Sequence, residues 1–201
     1  MNILLISQEG RSKEALLSMF SDSGFYITQT MDEESDMDRF ALIVIGAGRA
    51  TTFGSRLGSR LLRKMEEFVF NGGRYLGICA GSYMALQPYN RETCGFSLSH
   101  RQVVDLQNWD RGCGEVRITW KEDKYSVRYE NGPILADVQS TLERVVATYD
   151  DGFDGVMVNG IAAIEGQFGL GRYFLFGFHP ELNEKTRFMV DEAIEFLFPK
   201  E

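Results

Sequence analysis

Histidine, cysteine and proline are scarce in this chain, and each scarcity closes off a class of explanation. Two histidines among 201 residues leave little material for a zinc site, and Cys94, Cys113 and His100 are too few and too irregularly spaced to supply one. No metal or cofactor is expected. Three cysteines, Cys79, Cys94 and Cys113, are an odd number without a CxxC pair, which suits a reducing compartment better than a disulfide framework. The four prolines are scattered and no Pro/Ser/Gly-rich tract divides the chain, so residues 1–201 are expected to form one domain. Basic charge is also short: 21 Lys and Arg against 29 Asp and Glu give a net charge of -8, which argues against a general affinity for nucleic acid or anionic membrane. No apolar run reaches the length of a membrane span. Met1 to Ser7 lacks a basic n-region and its apolar run stops at Gln8-Glu9, so it reads as a strand rather than a signal peptide, and a cytoplasmic location is expected.

What the chain does contain is a regular alternation of short apolar runs and helical stripes. Asn2 to Ser7 is a buried strand, Arg11 to Phe20 a helix with Ala15, Leu16, Met19 and Phe20 at helical spacing, and Phe25 to Thr30 a second strand. The acidic stretch Met31 to Asp38 reads as a solvated loop or short helix, with an acidic recognition surface as the alternative. Phe40 to Ile45 is the most apolar strand and empties into Gly46-Ala47-Gly48-Arg49. A stripe of Leu57, Leu61, Leu62, Met65, Phe68 and Val69 predicts a helix that Asn71-Gly72-Gly73 closes before the next strand. This β-α-β order predicts a three-layer, doubly wound, mainly parallel α/β sheet whose ligand site lies beyond the carboxyl ends of the strands. After Gln87 the character changes. Gly114 to Trp120 and Lys124 to Tyr129 read as a hairpin, followed by strands at Leu142 to Tyr149, Val156 to Glu165 and Gly171 to Phe178, an antiparallel extension in the second half. Asn183 is placed as the cap of a final helix.

The chemistry centres on Gly77-Ile78-Cys79-Ala80-Gly81, a strand, a sharp turn and the start of a helix. Such a turn holds its central side chain in a strained backbone, projecting at the end of the sheet, and helix N–H groups near the sulfur favour a thiolate. A thiol nucleophile needs an imidazole to take its proton and a third group to orient that imidazole. His100 sits in an irregular polar stretch, whereas His179 ends a buried strand and is followed by Pro180 and Glu181. Cys79, His179 and Glu181 are therefore the candidate catalytic residues. The Gly46-Ala47-Gly48 step is either a tight strand-to-helix turn or a cradle for an oxyanion, and it lacks the third glycine of a dinucleotide fingerprint. Tyr83 either packs in the core or lines the substrate pocket. Arg49 and Arg56 either hold a substrate carboxylate or are solvated, and the Tyr129-to-Pro133 turn, with Gly132, is a hairpin element that either borders the pocket or does not.

The GxCxG elbow, the strand-end His179-Pro180-Glu181 and the Gly46-Ala47-Gly48 turn resemble the class I glutamine amidotransferase-like superfamily, with its flavodoxin-like fold. Gly77 to Tyr83 following Gly72-Gly73-Arg74-Tyr75 is most similar to the group named for the N-terminal domain of some biotin-protein ligases. The resemblance implies a Cys79 thiolate attacking an amide carbonyl to form a thioester, with His179 as base and acid and Glu181 orienting it. It also implies that the backbone N–H groups of Ala80 and of Gly46 to Gly48 bind the oxyanion. Two departures follow. Glutamine-using members carry Gln where Tyr83 stands, and no synthetase, ammonia-accepting or biotin-attaching domain is found here, so any such activity would belong to a separate synthetase or ligase partner. The expected function is a cysteine-dependent amidase or amidotransferase-like hydrolase acting on a small amide or peptide. The alternative is a non-catalytic small-molecule-binding or partner-docking module on the same fold.

Overall fold

A computed structural model describes residues 1–29, 36–86, 95–104 and 108–200. In chain order the elements are β1 (Asn2–Ile6), α1 (Arg11–Asp22), β2 (Tyr26–Thr28), β3 (Leu42–Ile45), α2 (Ala50–Phe70), β4 (Arg74–Ile78) and α3 (Ala80–Ala85). There follow β5 (Cys113–Trp120), β6 (Asp123–Glu130), β7 (Glu143–Tyr149), β8 (Ile161–Phe168), β9 (Gly171–Phe176), a 3-10 turn over Pro180–Leu182 and α4 (Phe188–Leu197). The described strands join one nine-stranded sheet in the order β2-β1-β3-β4-β9-β8-β7-β5-β6. From β2 to β9 the pairing is parallel, and from β9 to β6 it is antiparallel. The sheet is thus wound as expected, with the antiparallel extension continuing it on one side.

Why the central strands read as unbroken apolar runs is visible in what each face meets. Side chains alternate across a strand, so a run with no polar member must be covered on both sides. Ile3, Leu5, Leu42, Val44, Leu76, Ile78, Phe174 and Phe176 share one core with Leu16 and Phe20 of α1 and Met189, Val190, Ala193 and Leu197 of α4. The residues between them, Leu4, Ile43, Ile45, Tyr75, Tyr173 and Leu175, face Leu61, Leu62, Met65 and Val69 of α2 and the apolar residues of α3. Full burial of one such aliphatic side chain is worth about 2 kcal/mol, and this double cover is what fixes the strands' register.

Four expectations change in detail. Helix α2 begins at Ala50 rather than Leu57, and Gly58, at φ 71 and ψ 161, breaks it into two segments. Residues Val156 to Gly160 are a turn, so β8 starts only at Ile161. Asp154 Oδ1 accepts the N–H groups of Val156 and Met157, Asn159 takes φ 64, and these local bonds outcompete strand pairing for an alternating sequence. Asn183 does not cap α4, because its side chain accepts the N–H of Lys185 and the helix starts five residues later at Phe188. Finally, α3 has only six residues. It supplies free N–H groups beside Cys79 but little of the macrodipole expected of a longer helix. Residues 31–35 of the acidic stretch, Cys94 and residues 87–94 and 105–107 of the irregular segment lie outside the described residues. Among the described residues no helix is long and apolar enough to cross a membrane.

Candidate active site

The turn after β4 is built by its neighbours in sequence. Cys79 stands at φ 53 and ψ -102, a backbone conformation costing about 1–3 kcal/mol that only a surrounding scaffold can hold. Close packing against β3 and β4 supplies that scaffold. A Cβ on Gly81 would lie 2.0 Å from the Ile45 carbonyl oxygen, and one on Gly77 would lie 2.8 Å from the Gly81 carbonyl carbon, so both glycines are needed for α3 to press against the two strands. Tyr75 Oη donates to the Gly81 carbonyl at 2.7 Å. Ser82 Oγ sits 2.7 Å from the Phe176 carbonyl and 3.0 Å from that of Gly77, sharing its proton between β9 and the elbow. The Cys79 N–H donates to Phe176 O at 2.9 Å.

Strand β9 delivers the imidazole from next door. The His179 N–H donates to Arg128 O at 2.8 Å, which ties the end of β9 to β6. Nδ1 of His179 lies 2.8 Å from Glu181 Oε1, and both side chains are buried, at 1% and 0% exposure. Pro180 opens the 3-10 turn that brings the carboxylate back onto the ring, and Thr186 Oγ1 donates to the Pro180 carbonyl at 2.8 Å to hold the turn. Ser12 Oγ, from the first turn of α1, donates to the same Glu181 oxygen at 2.5 Å. With Nδ1 committed to the carboxylate, Nε2 is left buried and without a hydrogen-bond partner among the described residues.

A proton gained by that ring is strongly held. Burial by itself lowers the pKa of His179, but the carboxylate of Glu181 and, once Cys79 has given up its proton, the charge on the sulfur outweigh it, and the pKa ends well above 6.5. Cys79 Sγ stands close enough to the ring to help raise its pKa, and its S–H donates to the Glu130 carbonyl at 3.4 Å; the side chain is 6% exposed. Cys79 and His179 open on one cavity of about 300 Å³ at the carboxyl ends of β1, β3 and β4, which is also walled by Ser12, Ala47, Gly48, Arg49 and Glu130. A larger cavity of about 590 Å³ lies at the amino ends of β3 and β4, around Ala41, Gly73 and Arg74, away from the cysteine and both histidines.

Of the remaining sequence candidates, some reach this cavity and some do not. Arg49, exposed at the start of α2, lines it; Arg56, also exposed, does not. Gly46 is excluded as an oxyanion donor, because its N–H extends the sheet ladder to Ile6 O at 2.8 Å. Ala47 lines the cavity, and its carbonyl accepts the Gln8 N–H. The N–H groups of Gly48 and Ala80 have no acceptor among the described residues and stay available. Tyr83 lies outside the cavity wall, buried with its hydroxyl donating to Asn131 O at 3.1 Å. Gly132 also lies outside, packed so closely on Gly177 that a Cβ would meet its carbonyl oxygen at 2.0 Å. His100 is exposed. Ser12 and the Gln8-to-Arg11 wall are the site residues that sequence reasoning missed. Among the described residues no group of three His, Cys, Asp or Glu is arranged to hold a metal ion.

Residues 1–113 match the family described as biotin-protein ligase, N terminal. The chain belongs to that family. A biotin-protein ligase of Schizosaccharomyces pombe is 33% identical over 93 residues, which cover 41% of this chain but only 15% of that protein. The chain therefore spans a small part of the curated relative that it matches. The family match contains Cys79 and its elbow and stops before His179 and Glu181. Solved structures extend the likeness to nearly the whole chain at the level of fold. A chain in the structure of PurLQS from Thermotoga maritima aligns with TM-score 0.69 and 14% identity, covering 98% of this chain and 99% of that one. A ThuA-like protein of Bacteroides uniformis gives 0.66 and 11%, covering 100% and 92%. A protein of Thermoplasma acidophilum designated as a GMP synthase component gives 0.64 and 14%, covering 98% and 92%. The biotin-protein ligase N-terminal-like chain thus has the flavodoxin-like fold of the class I glutamine amidotransferase-like superfamily.

Proposed function

We propose that the chain is a cysteine-dependent amidase of the glutamine amidotransferase type. The observation that carries this reading is the buried Ser12–Glu181–His179 chain, which leaves one unpartnered ring nitrogen in the same cavity as a cysteine at φ 53. On substrate entry the Cys79 thiol gives its proton to His179 Nε2, and the thiolate attacks the amide carbon. The N–H groups of Gly48 and Ala80 receive the oxyanion. As the tetrahedral intermediate collapses, the C–N bond breaks and Nε2 returns the proton to the departing nitrogen, leaving a thioester. Water then gives a proton to Nε2, its oxygen attacks the thioester, and the C–S bond breaks as the thiol regains its proton. Glu181 keeps its hydrogen bond to Nδ1 and so holds the tautomer.

A second reading draws on the Cys79 thiol, which donates to Glu130 O. In that reading the cavity binds a small molecule or serves a partner without turnover. Timed alkylation separates the two. Activation by His179 makes Cys79 react faster than exposed Cys113 near neutral pH, and His179→Ala removes the difference; equal rates in the wild type would leave only the binding reading. The amidotransferase version, in which ammonia passes to a separate synthetase or ligase, is tested by ammonia release from glutamine with and without cell extract. Release must vanish in Cys79→Ser.

A further inference from the structure

The charges around the cavity do not cancel. Four ionisable side chains besides the catalytic group stand on its wall: Glu9, Arg11, Arg49 and Glu130. Both carboxylates are already neutralised, Glu9 by Lys13 at 2.5 Å and Glu130 by Arg128 at 2.8 Å. Glu181 is buried behind the cavity wall and holds His179 and Ser12 through Oε1. Arg11 and Arg49 are exposed and in no ion pair among the described residues. Arg11 opens α1 and Arg49 caps α2, and the loops that lead into these helices are pinned together by the Gln8 N–H to Ala47 O bond of 2.8 Å. The same cavity carries His179, whose buried Nε2 has no hydrogen-bond partner among the described residues.

Two free guanidiniums at the mouth of a site that splits an amide are matched by a carboxylate on the substrate, which a guanidinium binds through two parallel hydrogen bonds. A substrate ammonium has no such welcome, since among the described residues no unpaired carboxylate lines the cavity. We infer that the site selects a net-anionic amide over a neutral or zwitterionic one, and that Arg11 and Arg49 are the specificity-determining residues. The class comprises half-amides of dicarboxylic acids and N-acylated amino acids whose amide lies within reach of Cys79. This rests on the acyl-transfer reading of Cys79. The chain's net charge of -8 makes the local positive mouth the more telling, because only charges within about 10 Å act strongly at physiological salt.

Iodoacetate and iodoacetamide carry the same reactive carbon with and without a negative charge, and exposed Cys113 is an internal reference in the same chain. The alkylation ratio of Cys79 to Cys113 is measured for each reagent by peptide mass spectrometry on the full chain. The expected result is a ratio about tenfold higher for iodoacetate, falling to parity in Arg11→Ala/Arg49→Ala and shrinking at high salt. Parity in the wild type, or an anion preference that survives in the double variant, overturns the inference. Failure of the acyl-transfer reading has a different signature: the Cys79 rate with neutral iodoacetamide would then be indifferent to His179→Ala.

Discussion

The parallel and antiparallel halves of the sheet build the same cavity with different materials. From the parallel half come side chains: Cys79 after β4, His179 and Glu181 after β9, Ser12 and Arg11 after β1, Arg49 after β3. From the antiparallel half come backbone groups: the Glu130 carbonyl against the thiol, the Arg128 carbonyl under the His179 N–H, and the Asn131 carbonyl that fixes Tyr83. The strands of the parallel half all end at one edge, so their loops converge and can pool reactive groups. The end of an antiparallel strand has no such neighbours, and β6 contributes as a wall. Altering side chains should therefore hurt chemistry in one half and leave it nearly intact in the other.

The largest effect expected on that view is at His179. His179→Gln should cost about 10²–10⁴ in the rate of Cys79 acylation, read with a chromogenic amide or an acyl probe. The same variant tests the held proton. Burial lowers the pKa of His179, but Glu181 and the Cys79 thiolate outweigh it and raise the value well above 6.5, so protonation is favoured in the folded state. Its stabilisation is therefore complete below the unfolded value and is lost as pH rises through the folded one. In urea titrations the advantage of wild type over His179→Gln should be greatest near pH ~6 and shrink towards pH ~9. A gap that widens with pH would mean that the ring is held neutral.

Next in size is the elbow itself. Gly81→Ala drives a methyl onto the Ile45 carbonyl, which is backbone and cannot rotate away, and should destabilise the fold by about 3 kcal/mol or more in a denaturant melt. Gly155→Ala, in the loop before β8, meets nothing within 4 Å and should be neutral or slightly stabilising. Equal melts for the two would show that the elbow's close packing does not set the fold's stability. Ser12→Ala removes a hydroxyl from Glu181 without touching Cys79, and should lower kcat about tenfold at unchanged KM. Ser12→Thr should recover most of the loss, which a purely structural defect would not.

How much of this was legible in the residues depends on how far apart the cooperating groups lie. The central strands showed in their unbroken apolar runs, because double cover imposes that pattern residue by residue. Cys79 with its glycines, and His179 with Glu181, are local constellations within a five-residue and a three-residue window, and local spacing displays them. Ser12 was hidden because its partner lies 169 residues away and nothing in the spacing of a first helical turn points there. The loss of Gly46 as an oxyanion donor was hidden because the ladder runs one bond past β3, to Ile6 O, and a glycine has the same appearance whether its N–H is free or paired. Likewise Tyr83, at helical distance from Cys79, could face the pocket or the core until the Asn131 carbonyl drew its hydroxyl away.

The smallest effect is the sharpest test of the division between the halves. Glu130 touches the cavity twice, through a carbonyl that accepts the Cys79 thiol and through a carboxylate that pairs with Arg128 across the surface of β6. If β6 serves only as backbone, Glu130→Ala keeps the carbonyl in place and loses just a partly exposed ion pair worth about 0–1 kcal/mol. The Cys79 acylation rate should then change by less than about threefold, in whichever direction the freed Arg128 pulls the mouth potential. A fall of the size expected for Ser12→Ala would instead make the Glu130 carboxylate part of the chemistry, and the antiparallel half would no longer be a wall.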